Sequence, residues 1–470
     1  MRTPRTYPFV TPAKAGAHTR ERSSLWAPAF AGVTARVAGA TAFVLGAFVA
    51  SAAPAHAETI AITGGTVATA TGAPIEGGTV VITGGKIVAA GRSVVVPAGA
   101  TVIDATGKWV TPGIFAAMSF TGASEVNAVD QTNDTGASKS PFSAAIDLAP
   151  GINPAASNIA VERLGGVTRS AVGVNPSRAI FGGQGLLISL AAGRDTITRA
   201  RAFQFVELGE GGSRAAGGSR PAAFLTFRNA LHEAERYARN PVAFADGRAA
   251  DDFVTRLDAA ALVAVVQGTQ RLVVHVDRAQ DILNVLALRG EFPRLKLVLF
   301  GAREGWLVAD KIAAASVPVI TMPLLDNPNA FESLASTKSN VGRLVKAGVV
   351  VGLGILEQDA SFQARDLPHY AGNMVAQARV PGGVGLTWEE ALRTVTVAPA
   401  RIFGMTDTGT VAPGQRADVV VWDGDPLELT SAPTAVIIDG VRQPMVSRQT
   451  ELRDRYLGLK TDAMPLQYRR

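Results

Sequence analysis

The chain has 470 residues, 47% of them hydrophobic and 18% charged, the balance of a globular protein long enough for two or three domains. It has no cysteine, which excludes disulfides, thiolate metal sites and a cysteine nucleophile. The formal charge of +6 is no nucleic-acid signal, because residues 1–57 hold +5 of it (Arg2, Arg5, Lys14, Arg20, Arg22 and Arg36 against Glu21) and the remainder carries only +1.

Arg36 precedes a short apolar run over 37–53, and the small-x-small triplet Ala55-His56-Ala57 follows it. That order predicts a secretory signal peptide cleaved after Ala57 and a periplasmic mature protein beginning at Glu58. The run is shorter than the ~20 apolar residues a membrane span needs, so no membrane association is expected after cleavage. Residues 1–35 fit no part of a targeting pattern, and translation is expected to start near Val33 or Val37.

Residues 59–111 read as short β-prone runs at 60–62, 79–82, 86–89 and 101–104, punctuated by Gly64-Gly65, Gly77-Gly78, Gly84-Gly85, Gly91 and Gly107. About 50 residues bury too little core to stand alone, so these strands need partners. Candidate partners lie far downstream, in 417–422 and 435–440.

From 113 to 400 the pattern changes to amphipathic helices alternating with apolar strands: 159–164 before 166–168, 279–289 before 295–300, 306–315 before 317–322, and 340–347 before 349–353. Repeated units of this kind predict a parallel sheet with helices around it. Periodicity alone does not separate a closed barrel from a doubly wound open sheet. Thr387 and Glu390 have capping-box spacing, Pro399 begins another helix and Gly404 closes it. The stretch 209–220 (Gly-Glu-Gly-Gly-Ser-Arg-Ala-Ala-Gly-Gly-Ser-Arg) is of low complexity; it reads as a solvated linker, with a lid over the barrel mouth as the alternative. The cluster Phe181-Gly182-Gly183-Gln184-Gly185 lacks the residues of a phosphate loop.

Four stretches carry a family resemblance. They are 109–120 (Trp-Val-Thr-Pro-Gly-Ile-Phe-Ala-Ala-Met-Ser-Phe), 271–278 (Arg-Leu-Val-Val-His-Val-Asp-Arg), the Leu-Thr-x-Glu-Glu-Ala-Leu run at 386–392 with Pro399-Ala400-Arg401, and 410–418 (Thr-Val-Ala-Pro-Gly-Gln-Arg-Ala-Asp). Together they resemble the amidohydrolase superfamily, in particular its imidazolonepropionase-like and dipeptidase-like branches. The resemblance implies an α/β fold, a (β/α)8 TIM barrel plus a composite β-sandwich built from N- and C-terminal strands. The segments would be a leader (1–57), the first part of the sandwich (58–112), the barrel (113–404), the second part of the sandwich (405–446) and a charged tail (447–470).

The resemblance also implies where metal ligands should lie: a His-x-His pair on the first barrel strand, often a carboxylated Lys on the fourth, one His each on the fifth and sixth, and an Asp on the eighth. Here the first-strand positions are Met118 and Phe120. The fifth strand retains His275. The sixth has Phe300 or Gly301 at its position, and the eighth has Leu356, with Glu357 or Asp359 as substitutes if the alignment slips. The mature chain holds three histidines, His232, His275 and His369; His232 lies on a charge-rich helix and reads as a surface residue, and His369 follows Pro368. Four ligands cannot be assembled from histidine. A histidine on an apolar strand is commonly a hydrogen-bonded core residue, so His275 is either that or the one retained ligand. Met118 and Phe120 would fill the space of the metals. Glu125, Asp130 and Asp134 are candidates for an acidic patch at the barrel mouth.

By descent the chain would hydrolyse C–N bonds of small molecules such as cyclic amides or dipeptide-like compounds. Two outcomes stay open: a hydrolase with a site rebuilt around His275 and nearby carboxylates, or a non-catalytic member acting as a binding protein or as partner subunit of an active relative. Loss of first-strand ligands favours the second; carboxylates converging on His275 would favour the first. No cofactor is expected, or zinc or another divalent ion if the site is rebuilt. Expected partners are a small-molecule ligand and a homo-oligomer, or a hetero-oligomer with an active paralogue.

Overall fold

A computed structural model of the chain describes residues 58–457, except 127, 177, 243–252 and 356–362. No helix among the described residues is long and apolar enough to cross a membrane. The predicted cleavage site, Leu356, Glu357 and Asp359 lie outside the described residues.

Two eight-stranded sheets organise the chain. The first begins with β1 (Thr59–Val67), β2 (Ile75–Thr83), β3 (Lys86–Gly91), β4 (Thr101–Asp104) and β5 (Trp109–Pro112). The second comprises β6 (Ile114–Ser119), β7 (Val167–Val172), β8 (Phe181–Ser189), β9 (Ile197–Glu207), β10 (Arg271–Val276), β11 (Lys296–Gly301), β12 (Val319–Thr321) and β13 (Val351–Leu353). The chain then returns to the first sheet with β14 (Val419–Trp422), β15 (Pro433–Ile438) and β16 (Val441–Arg442).

Strands from both ends of the chain share that first sheet because β14 pairs antiparallel with β5, Val420 opposite Thr111. The alternation along β14 explains why the returning strand is needed. Val419 and Val421 face the core of this sheet with Ile60, Ile62 and Val110, while Val420 and Trp422 face the barrel core. The Ala417-Asp418 pair has a physical role too. Buried Asp418 accepts from Arg169 Nε on β7 at 2.5 Å, and Arg169 also donates to Asp439 at 2.8 Å. Burial of that guanidinium is outweighed by the two carboxylates, which hold its pKa above the usual arginine range.

The second sheet runs in order from β6 to β13 and is closed by a backbone bond from Ile355 N to Met118 O, 3.0 Å. It departs from a strict (β/α)8 pattern in one place. β8 runs antiparallel to both β7 and β9, while the other neighbouring pairs are parallel. The reason is connection length: the segments 173–180 and 190–196 are too short for the helical crossover a parallel pair requires. Elsewhere helices intervene as expected, for instance Ser157–Leu164 before β7 and Ala279–Ala287 before β11. The capping box at Thr387 and Glu390 is formed, and Gly404 sits at φ +67°.

Candidate functional site

The C-terminal ends of the barrel strands surround a cavity of about 530 Å³, where a barrel of this kind places its chemistry. Part of its wall is apolar. Met118 and Phe120 come from the end of β6, Phe205 from β9 and Phe300 from β11. Phe300 meets both Phe205 and His275 edge-on, with ring centroids 5.4 and 5.5 Å apart. Met118 is 2% exposed and lodges between two glycines. A Cβ on Gly173 would lie 2.6 Å from its sulfur, and one on Gly354 would lie 2.9 Å from its Cβ.

The rest of the wall is an ionic cluster centred on His275. Register places His275 on β10 directly beside Glu207 at the end of β9, and Glu207 Oε2 bonds His275 Nδ1. His275 Nε2 has no hydrogen-bond partner among the described residues; the nearest carboxylate oxygen is Asp277 Oδ2 at 3.7 Å. Asp277 accepts from Arg303 N at 3.1 Å and lies 3.4 Å from Arg303 Nε. Glu332 also lines the cavity. Its Oε2 accepts from Glu210 N at 2.7 Å and from Arg220 at 3.0 Å.

The charges follow from these contacts. Burial pushes the His275 imidazolium towards neutrality, but Glu207, Asp277 and Glu332 outweigh it and hold its pKa up to about 9. Burial raises Glu207 as well, yet the His275 charge and the N–H groups of Gly209 and Gly212 bring it below the ordinary glutamate range. Glu332 goes the other way. Burial, with Asp277 and Glu207 nearby, raises it despite the Glu210 N–H and His275. The cluster therefore sets a protonated imidazole beside a carboxyl group that gives up its proton late.

The segment 209–220 is neither a linker nor a free lid. It forms the helix Glu210–Ala215, and Gly211, Arg214 and Ala215 line the cavity. Two of its glycines are a steric requirement. A Cβ on Gly212 would lie 2.0 Å from Glu207 O, and one on Gly209 would lie 2.7 Å from Glu332 Oε2. Without side chains there, the backbone approaches both carboxylates closely enough for Gly209 N to donate to Glu207 at 2.8 Å and Glu210 N to Glu332.

A model of the amidohydrolase family matches residues 198–442, more than half of the chain. The chain belongs to the amidohydrolase family. It is 27% identical over 381 residues to the amidohydrolase tasK of Hapsidospora irregularis, covering 74% of this chain and 38% of that protein. It is 60% identical over 126 residues to the imidazolonepropionase of Ruegeria pomeroyi, covering 26% of this chain and 29% of that one. The chain thus spans well under two thirds of the length of these curated relatives. The solved amidohydrolase of Thermotoga maritima superposes with a TM-score of 0.72 at 26% identity, over 82% of this chain and 99% of that chain.

Amidohydrolases usually use a divalent metal, and most of the positions at which the family resemblance expects its ligands fall together. Met118, Phe120, His275 and Phe300 all line the one cavity. Among the described residues, no group of three His, Asp or Glu side chains is arranged to hold a metal ion. His232 is a surface residue bonded to Glu291 at 2.7 Å. His369 lines a separate cavity with Glu125. The acidic-patch candidates do not line the His275 cavity: Asp130 and Asp134 are exposed, and Glu125 accepts from Asn153 Nδ2 at 2.6 Å.

Glu207, Asp277, Arg303 and Glu332 were not singled out by sequence. Two of them left a signal. Glu207 ends an apolar strand at the fourth-strand position, and Asp277 stands two residues after His275 in Arg271–Val276 and its extension. Glu332 sits in a single 3-10 turn, Phe331–Ser333, within an otherwise irregular stretch, and left none.

Proposed function

We propose that this protein is a hydrolase of C–N bonds in small amides that works by proton transfer at the His275 cluster and not through a bound metal. The residues do not fit a metal of the family type. Met118 offers only a soft thioether and Phe120 and Phe300 offer no donor. His275 has Nδ1 committed to Glu207, which leaves a single ring nitrogen where the family uses several histidines.

The observation that carries the proposal is the convergence of Glu207, Asp277 and Glu332 on His275 in a cavity of about 530 Å³. Glu207 orients the imidazolium, so that Nε2–H points its donor at a substrate carbonyl oxygen and stabilises the charge that develops there. Glu332 Oε1, which makes no hydrogen bond among the described residues, takes a proton from water as the water oxygen bonds to the carbonyl carbon. The tetrahedral carbon then expels the amide nitrogen, which leaves with the proton held on Glu332. Burial that raises Glu332 suits it to both transfers.

Several finer points belong to the same proposal. Arg36, the apolar run and Ala55-His56-Ala57 support export to the periplasm with cleavage after Ala57. The separate core of Ile60, Val80, Val110, Val419 and Ile437 supports a composite sandwich beside the barrel. The fit of Met118 between Gly173 and Gly354 favours a second function, a non-catalytic binding subunit paired with itself or with an active relative.

Turnover separates the two. The purified mature protein is incubated with a panel of cyclic amides and dipeptides, with and without prior chelation. Amine release that survives chelation and disappears in Glu332→Gln and His275→Asn supports the hydrolase. No turnover, with retained ligand binding, supports the binding subunit.

A further inference from the structure

A second chamber of about 420 Å³ adjoins the His275 cavity. The two share part of one wall, formed by Asn175, Pro176, Ala179 and Ala215. Beyond that wall three phenylalanines join a lining that is otherwise mainly small and polar residues. Phe142, Phe181 and Phe253 come from three separate segments; Phe181 is buried and stacks on Phe227 at 5.8 Å. The chamber is built and not a chance gap. Asp258 at its base is 3% exposed and accepts from Ser143 N at 2.9 Å, Ala145 N at 2.8 Å and Thr255 Oγ1 at 2.8 Å, which fixes the loop carrying Phe142.

We infer that the substrate is a two-part molecule: a compact amide head at His275, joined to an aryl or bulky aliphatic arm that crosses Pro176 and Ala179 into the second chamber. The inference rests on the proposed hydrolase site for the place of the head. The arm's chemistry comes from the chamber itself. Three phenylalanines offer apolar area. Arg178 at the rim has no ion pair among the described residues and disfavours a cationic arm, and Asp258 is already committed to its own three donors. Chambers of this kind set specificity by what they desolvate, with a few polar groups fixing orientation.

The test compares two probes with one head, N-acetylglycinamide and N-(4-phenylbutanoyl)glycinamide, by calorimetric binding to the intact mature protein. The aryl probe should bind at least about tenfold more tightly. Phe142→Ala, at a half-exposed position that touches only the second chamber, should remove most of that advantage and leave the acetyl probe unchanged. Ala179→Trp, at a residue that lines both cavities, should abolish the advantage. Equal affinity for the two probes, affinity for neither, or an advantage that survives both substitutions overturns the inference. Binding is read without turnover, so an aryl advantage in a protein that hydrolyses nothing keeps the chamber and retires the hydrolase.

Discussion

The carboxylate of Glu207 and the imidazole of His275 face each other from adjacent parallel strands, in register, and bond through Nδ1. The bond leaves Nε2 as the free donor of the ring and makes the histidine a fixed acid. Glu207→Gln should therefore lower the pKa of His275 from about 9 towards its ordinary value, because the opposing effect of burial is then less compensated. An NMR titration of the imidazole reads this directly. Turnover above neutral pH should fall with it, by about two to three orders of magnitude, the cost of weakening a donor that stabilises the developing oxyanion.

Gly301 should tolerate no side chain. It lies at φ +85° at the end of β11, and a Cβ would sit 2.5 Å from Asp277 Oδ1 and 3.0 Å from His275 Nε2. Gly301→Ala is expected to cost about 1–3 kcal/mol in backbone strain and to displace the imidazole. Thermal unfolding and turnover should both drop.

Met118→Ala should be destabilising by about 2–5 kcal/mol, the usual cost of truncating a fully buried methionine. Gly173→Ala is milder, because the thioether end that it strikes can swing into the cavity. Denaturant unfolding of the two variants orders them.

The fold was largely legible in the sequence, and the site only in part. Strands β1 to β4 were readable because glycines bracket β-branched runs, and the helix from Trp388 because Thr387 and Glu390 have cap spacing. The reversed strand β8 was hidden, since an apolar strand reads the same in either direction and only the short connections at 173–180 and 190–196 reveal it. Within the site, Met118, Phe120, His275 and Phe300 were placed by the family resemblance of the strands that carry them. Glu332 was not, because it reaches the cavity from one isolated 3-10 turn, too short for any periodicity to reveal. The segment 209–220 misled for a related reason: glycine-rich sequence signals freedom, whereas here the missing side chains of Gly209 and Gly212 make room for the Glu332 carboxylate and the Glu207 backbone.

Glu162 supplies a pH-dependent stability. It is fully buried, and burial drives its pKa from 4.5 up to about 8 against the Arg365 N–H and charge. The folded state thus favours the protonated acid. Its contribution is fully present below pH 4.5 and is lost as pH rises through about 8. Glu162→Gln should remove this slope and leave the protein more stable than the parent at pH 9, by an amount on the order of a few kcal/mol. Urea unfolding at pH 5 and pH 9 measures it; equal slopes in the two proteins would contradict the assignment.

The most direct measurement of the central claim is metal content taken together with turnover. The mature protein is purified without a metal-affinity tag, dialysed against trace Zn²⁺, and assayed for amide hydrolysis before and after chelation. The His275 mechanism predicts metal well below one ion per chain and hydrolysis unchanged by the chelator. About one tightly bound ion per chain, with activity that vanishes on chelation and returns with zinc, would contradict it.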